Sequence, residues 1–222
     1  MKNPVLRKLV LLSLFAIAMG YLEAAVVVYL RAIYYPEGFD FPIRQIPVHM
    51  AIIELAREVS TIAMLLAVAF LAEQSRRARF VAFMFIFGVW DIFYYIWLKV
   101  TIGWPASLLT WDLLFLIPVI WTGPVVAPVL VSILMIGAAL LYYRSKELAE
   151  RLTIKPYEWA AVTGAACIIF LAFAYNHGVT FRGGLPERFP WEIFAAGIAL
   201  GLWMLIRLWR RLMTLRLGTL GR

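Results

Sequence analysis

The run ASLLTWDLLFLIPVIW, Ala106 to Trp121, decides how many times this chain crosses a membrane. It is bounded by Pro105 on one side and by Gly123-Pro124 on the other. A helix crossing a hydrocarbon core needs roughly 20 mostly apolar residues at about 1.5 Å each, so this run is long enough to enter a bilayer but marginal for spanning it. Its neighbours are longer. Lys8 to Leu30, Met50 to Ala72, Phe80 to Val100, Pro124 to Tyr143 and Glu158 to Asn176 all qualify as spans. Trp191 to Trp209 is slightly short, but Pro190 and Arg210 mark its ends in the right places.

Charge settles the count. Most Lys and Arg residues fall in four connecting segments: Lys2, Arg7 and Lys8; Arg76, Arg77 and Arg79; Arg144, Lys146, Arg151 and Lys155; and Arg207, Arg210, Arg211, Arg216 and Arg222. By the positive-inside rule these segments face the cytoplasm. The alternation closes only if the region from Ala106 to Tyr143 crosses an odd number of times, and one crossing is simplest. The expected fold is therefore an all-α integral membrane protein, one polytopic domain over residues 1–222. It has six transmembrane helices, a re-entrant or broken half-helix before the fourth span, and both termini cytoplasmic. The alternative is a long fourth helix from Asp112, kinked at Pro118, Pro124 and Pro128. Met1 to Lys8 with Ala16-x-Ala18 imitates a cleaved signal, but the apolar run continues to Leu30, which favours a retained helix. The expected location is the plasma (inner) membrane.

Composition agrees with a membrane chain. It is 64% hydrophobic and 15% charged, against roughly 45–50% and about 25% in soluble domains. A single cysteine, Cys167, excludes a disulfide framework or a cysteine metal cluster and reads as buried mid-span filler. The net charge of +8 gathers at helix ends, where it suits anionic lipid headgroups, and no zinc spacing or strand pattern supports a nucleic-acid partner. P-loop, HExxH, GxSxG and CxxC motifs are absent. Gly197-x-x-x-Gly201 reads as intramolecular helix packing. The connections from Arg31 to His49 and from His177 to Pro190, rich in Pro and Gly, read as ordered caps on the outer side. His49 and His177 lie at outer ends, and the five-residue step from His49 to Glu54 makes a poor chelate. No cofactor or metal is assigned.

The informative residues are the ionisable ones that lipid should exclude. Counted from the outer helix ends, Glu23, Glu58 and Asp91 share a depth of roughly 12 to 14 Å. Glu54, Arg57, Glu58 and Thr61 follow the i, i+3, i+4, i+7 spacing of one helical face. Asp91, Tyr95 and Lys99 make an i, i+4, i+8 stripe, and Glu23, Val27 and Arg31 another. Asp112 joins them from the outer side, and taken alone reads as a helix N-cap. The candidate ligand- or ion-binding set is thus Glu23, Glu54, Arg57, Glu58, Asp91, Tyr95, Lys99 and Asp112. Four deep acids oppose one deep cation, Arg57, which leaves excess negative charge where a proton or a cation can reside.

Three functions are compatible with this pattern. The first is transport of a proton, cation or cationic solute through an outward-facing, carboxylate-lined pocket. The second is a membrane enzyme acting on a lipid-linked or phosphorylated substrate, with Glu58 or Asp91 as acid or base, or with a divalent metal on Glu54, Glu58 and Asp91. The third is a structural or accessory subunit whose charges pin helices together, as a homo-oligomer or within a larger membrane complex.

Overall fold

The computed structural model describes residues 3–220; the basic positions Lys2 and Arg222 lie outside the described residues. Six helices are long and apolar enough to cross a membrane. They are α1 (Pro4–Tyr34), α2 (Val48–Ala72), α3 (Arg76–Ile102), α4 (Val126–Arg144), α6 (Pro156–Ala174), continued by the short α7 (His177–Phe181), and α8 (Trp191–Leu220). A further short helix, α5 (Lys146–Arg151), sits in a basic connection. The chain is a multi-pass helical membrane protein.

Local chemistry sets the helix starts. Asn3 caps α1 by accepting from the amides of Val5 (2.9 Å) and Leu6 (3.3 Å), with Pro4 as the first helical residue. Ser75 caps α3 by accepting from the Ala78 amide at 3.0 Å. Helix α3 is the hub: it packs on α1, α2 and α4, while α6 and α8 form a pair of their own. Two glycines bring the hub close to its partners. A Cβ on Gly20 of α1 would stand 3.0 Å from the Trp90 carbonyl of α3, and one on Gly88 of α3 would stand 2.8 Å from the Ser132 carbonyl of α4. Glu23 and Asp91 each follow one of these contacts by three residues, so the close approaches of the hub lie about one turn from two of the acids singled out from sequence.

The Ala106–Trp121 run departs from expectation. It forms no half-helix, and the kinked long helix from Asp112 does not occur either. Strand β1 (Trp111–Phe115) pairs antiparallel with β2 (Trp121–Pro124), with Asp112 opposite Gly123 and Leu113 opposite Thr122. Asp112 is therefore a strand residue and not a helix N-cap. Proline explains the difference. Pro118 and Pro124 lack amide donors and push Ile117 and Gly123 toward extended backbone, while Val119, Ile120 and Thr122 are β-branched. The amides that the short ladder leaves over find side chains: Leu116 N–H donates to both Glu58 oxygens (3.1 and 3.0 Å), and Ile120 N–H donates to His177 Nδ1 (3.1 Å). Trp121 stacks on Phe173 of α6 at 5.9 Å and meets Phe170 at 5.1 Å, which seats the hairpin against the second helix pair.

Two smaller expectations also change. Cys167 is exposed on the bundle surface and is not buried filler. Gly197 does pack closely, since a Cβ there would meet Ile169 at 2.7 Å, but Gly201 faces open space, so the motif contributes one contact and not two.

Candidate functional site

The connection between α1 and α2 covers a cavity of about 300 Å³ at the end of the bundle opposite the basic segments. Aromatic edges order this cover. Phe39 meets Tyr35 at 5.1 Å, Phe41 at 5.7 Å and Trp104 at 6.1 Å, and Phe41 reaches Trp111 at 6.3 Å. The Tyr35 hydroxyl accepts from the Arg44 amide at 2.6 Å.

Seven of the eight residues singled out from sequence line this cavity: Glu23 from α1, Glu54, Arg57 and Glu58 from α2, Asp91 and Tyr95 from α3, and Asp112 from β1. Arg57 is their centre. It donates to Glu54 (Nε to Oε2, 3.0 Å) and across the helix gap to Glu23, whose second oxygen accepts from Thr61 at 3.0 Å. The face of α2 written by its spacing thus meets α1 through one cation shared by two acids. Glu58 is buried and has the Leu116 amide for company. Asp91 accepts from the Ser132 hydroxyl at 2.8 Å.

Lys99 goes elsewhere. Its ammonium donates to the carbonyls of Gly103 and Pro105, both at 2.9 Å, and so ties down the turn that follows α3. Free carbonyls at a helix C-terminus attract a cation, and a long side chain eight residues above Asp91 reaches them more readily than it reaches back to the acid.

Arg31 has a larger part than sequence spacing alone assigned to it. Its guanidinium bridges to Asp112 at 3.0 Å and lies between two rings, 3.7 Å from the Trp104 centroid and 4.4 Å from Phe39. Its Nη1 is buried without a hydrogen-bond partner. Asp112 is 1% exposed, and burial pushes its carboxyl up to about 6 against the opposing pull of Arg31. The Tyr95 hydroxyl lies beside the same carboxylate. Tyr94, Trp90 and Ser132 also belong to the site and carried no charge to flag them; Tyr94 continues the pocket face of α3 next to Tyr95.

The arrangement holds five carboxylates around one space with a buried guanidinium, Arg31, a half-buried one, Arg57, and a third, Arg44, in the cover. Tyr34, Tyr35, Phe39, Tyr94 and Tyr95 supply rings to the same wall. Acid excess with aromatic faces suits a positively charged guest. A divalent centre on Glu54, Glu58 and Asp91 is not formed: among the described residues no group of three or more His, Cys, Asp or Glu is placed to hold a metal ion. His177 is committed to the hairpin through Nδ1, and His49 is exposed on α2.

Comparison with known proteins adds no relative. No protein-family model, no curated protein and no solved structure matches the chain.

Proposed function

We propose that this protein binds a cationic solute in the carboxylate- and aromatic-lined cavity and passes it, or a proton in exchange, across the membrane. The basic end then faces the cytoplasm, because its Lys and Arg side chains follow the positive-inside rule, and the cavity opens outward at the plasma membrane. The observation that carries the reading is the imbalance inside the cavity: Glu58 and Asp91 have an amide and a hydroxyl for partners, and among the described residues neither forms an ion pair. An ionised carboxylate held away from water is costly without a counter-charge, and a guest cation supplies one. Ring faces beside the acids favour an organic ammonium over a small hydrated metal ion, since cation–π attraction rewards a weakly hydrated charge.

The test is binding and flux of tetraethylammonium, with proton flux recorded in parallel, in proteoliposomes holding the native chain, Glu58→Gln or Asp91→Asn. Either variant should lower cation binding about tenfold or more while the protein still purifies as a folded, monodisperse species. Unchanged binding and flux in both would overturn the proposal.

A second reading draws on a separate observation, the Arg57 bridge between α1 and α2. Such a bridge pins helices whatever the cavity does, and on that reading the chain is an accessory subunit. Full flux in the acid variants together with stoichiometric co-purifying partners would favour it.

A further inference from the structure

The basic end carries a second concave surface, independent of the cavity. Leu66 and Phe70 of α2 and Phe80 and Phe83 of α3 wall a groove on the outside of the bundle, with Arg76 and Arg79 at its mouth. Leu66, Phe70 and Phe80 are exposed there, on a surface that faces lipid in a protein of six spans. The order along α3 matters. Arg76 and Arg79 begin the helix, and Phe80 and Phe83 follow at i+4 and i+7 from Arg76, so the cations mark the helix end and the rings run from them toward the bilayer centre.

The two arginines differ in how they are held. Arg79 is positioned: its Nε donates to the Glu73 carbonyl at 2.9 Å and its guanidinium rests 4.6 Å from the Phe70 ring centroid. Among the described residues, neither its amino groups nor any donor of Arg76 has a hydrogen-bond or ion-pair partner. The adjacent acid cannot serve them, because the Glu73 carboxylate is taken by Lys8 at 2.8 Å and Lys146 at 2.6 Å. Two guanidiniums with unused donors therefore stand at the head of an aromatic trough.

We propose that this groove is a site for one anionic glycerophospholipid, with the phosphate diester held between Arg76 and Arg79 and an acyl chain laid along Leu66, Phe70, Phe80 and Phe83. The charge complementarity selects the headgroup, since guanidinium forks match phosphate oxygens. The exposed rings select a ligand with a tail over free phosphate.

Native mass spectrometry of the detergent-purified chain tests this, titrated separately with phosphatidylglycerol, with phosphatidylcholine of the same chains and with inorganic phosphate. A single retained phosphatidylglycerol is expected, with little retention of the other two. Arg76→Gln/Arg79→Gln should weaken it about tenfold. Arg144→Gln/Arg210→Gln removes the same charge from the same end outside the groove and should leave it bound. Arg76→Gln alone, at an exposed position, should give an intermediate loss and guards against a folding defect in the double variant. Equal loss in both double variants, equal retention of phosphatidylcholine, or displacement by inorganic phosphate would each overturn the proposal.

Discussion

The two ends of the bundle treat buried acids in opposite ways. At the basic end Glu73, at the close of α2, receives Lys8, Lys146 and the Tyr143 hydroxyl, and Glu158 of α6, fully buried, receives Arg207, Arg211 and the Lys155 amide. Each acid there has two cations. At the cavity end acids outnumber cations: Asp112 has Arg31, Glu23 and Glu54 share Arg57, and among the described residues Glu58 and Asp91 form no ion pair. Burying a charge is tolerable when it is paired and hydrogen-bonded. Over-neutralised acids read as architecture; under-neutralised ones read as a place kept for something else.

Removing a hub should separate the two kinds of cluster most sharply. Arg57→Ala leaves the buried Glu23 and the half-buried Glu54 without a cation and should cost about 3 kcal/mol, seen as a large fall in the detergent melting temperature. A variant that melts like the native chain would show that the bridge carries no structural load. Glu73→Ala at the other end should cost less, about 1–3 kcal/mol, because its two lysines are each about a third exposed and turn to water. It should leave tetraethylammonium binding untouched, and a loss of binding there would erase the distinction between the ends.

Acid sharpens the contrast further. Burial alone would raise the Glu73 carboxyl, but Lys146 and Lys8 outweigh it and hold the group below the ordinary carboxylate range. Its stabilisation is present above about pH 4.5 and fades only as the pH falls through that lowered value. Asp112 has the opposite sign: raised to about 6, it favours the folded state most when protonated, and that contribution is lost as the pH rises through about 6. Between pH 7.5 and 5 the melting temperature should therefore rise by a few degrees, and Asp112→Asn should flatten the rise. A native chain whose melting temperature falls across that window would contradict this assignment. The smallest effect belongs to Lys99→Met, which removes a cap from α3 at a cost of about 1 kcal/mol or less and should not change cation binding.

The spans were legible because length and hydropathy are dictated by the bilayer, and the buried acids were legible because lipid makes each of them conspicuous. Helical spacing then placed Glu54, Arg57 and Glu58 on one face without knowledge of the partner helices. Lys99 shows the limit: an i, i+8 stripe names a direction, but the side chain answered to carbonyls at its own helix end. The hairpin was hidden because a 16-residue apolar run has no periodicity that separates strand from buried helix; the available hint was Pro118 among β-branched neighbours. Ser132 and Tyr94 escaped because neutral groups become part of a site through contact, and contact is a tertiary fact. Arg31 was visible as a charge, but its place between Trp104 and Phe39 depends on how two connections fold over it.

The hairpin also constrains the order in which the molecule assembles. Two short strands offer too few backbone bonds to rest in hydrocarbon alone, and of the two amides left over, that of Leu116 meets Glu58, already made, while that of Ile120 waits on His177 and the Trp121 ring on Phe170 and Phe173, downstream in the chain. The side of the hairpin that carries Asp112 and Leu116 can therefore dock on Arg31 and Glu58 as soon as it is made, and the side that carries Ile120 and Trp121 finds its partners only once α6 and α7 are in place.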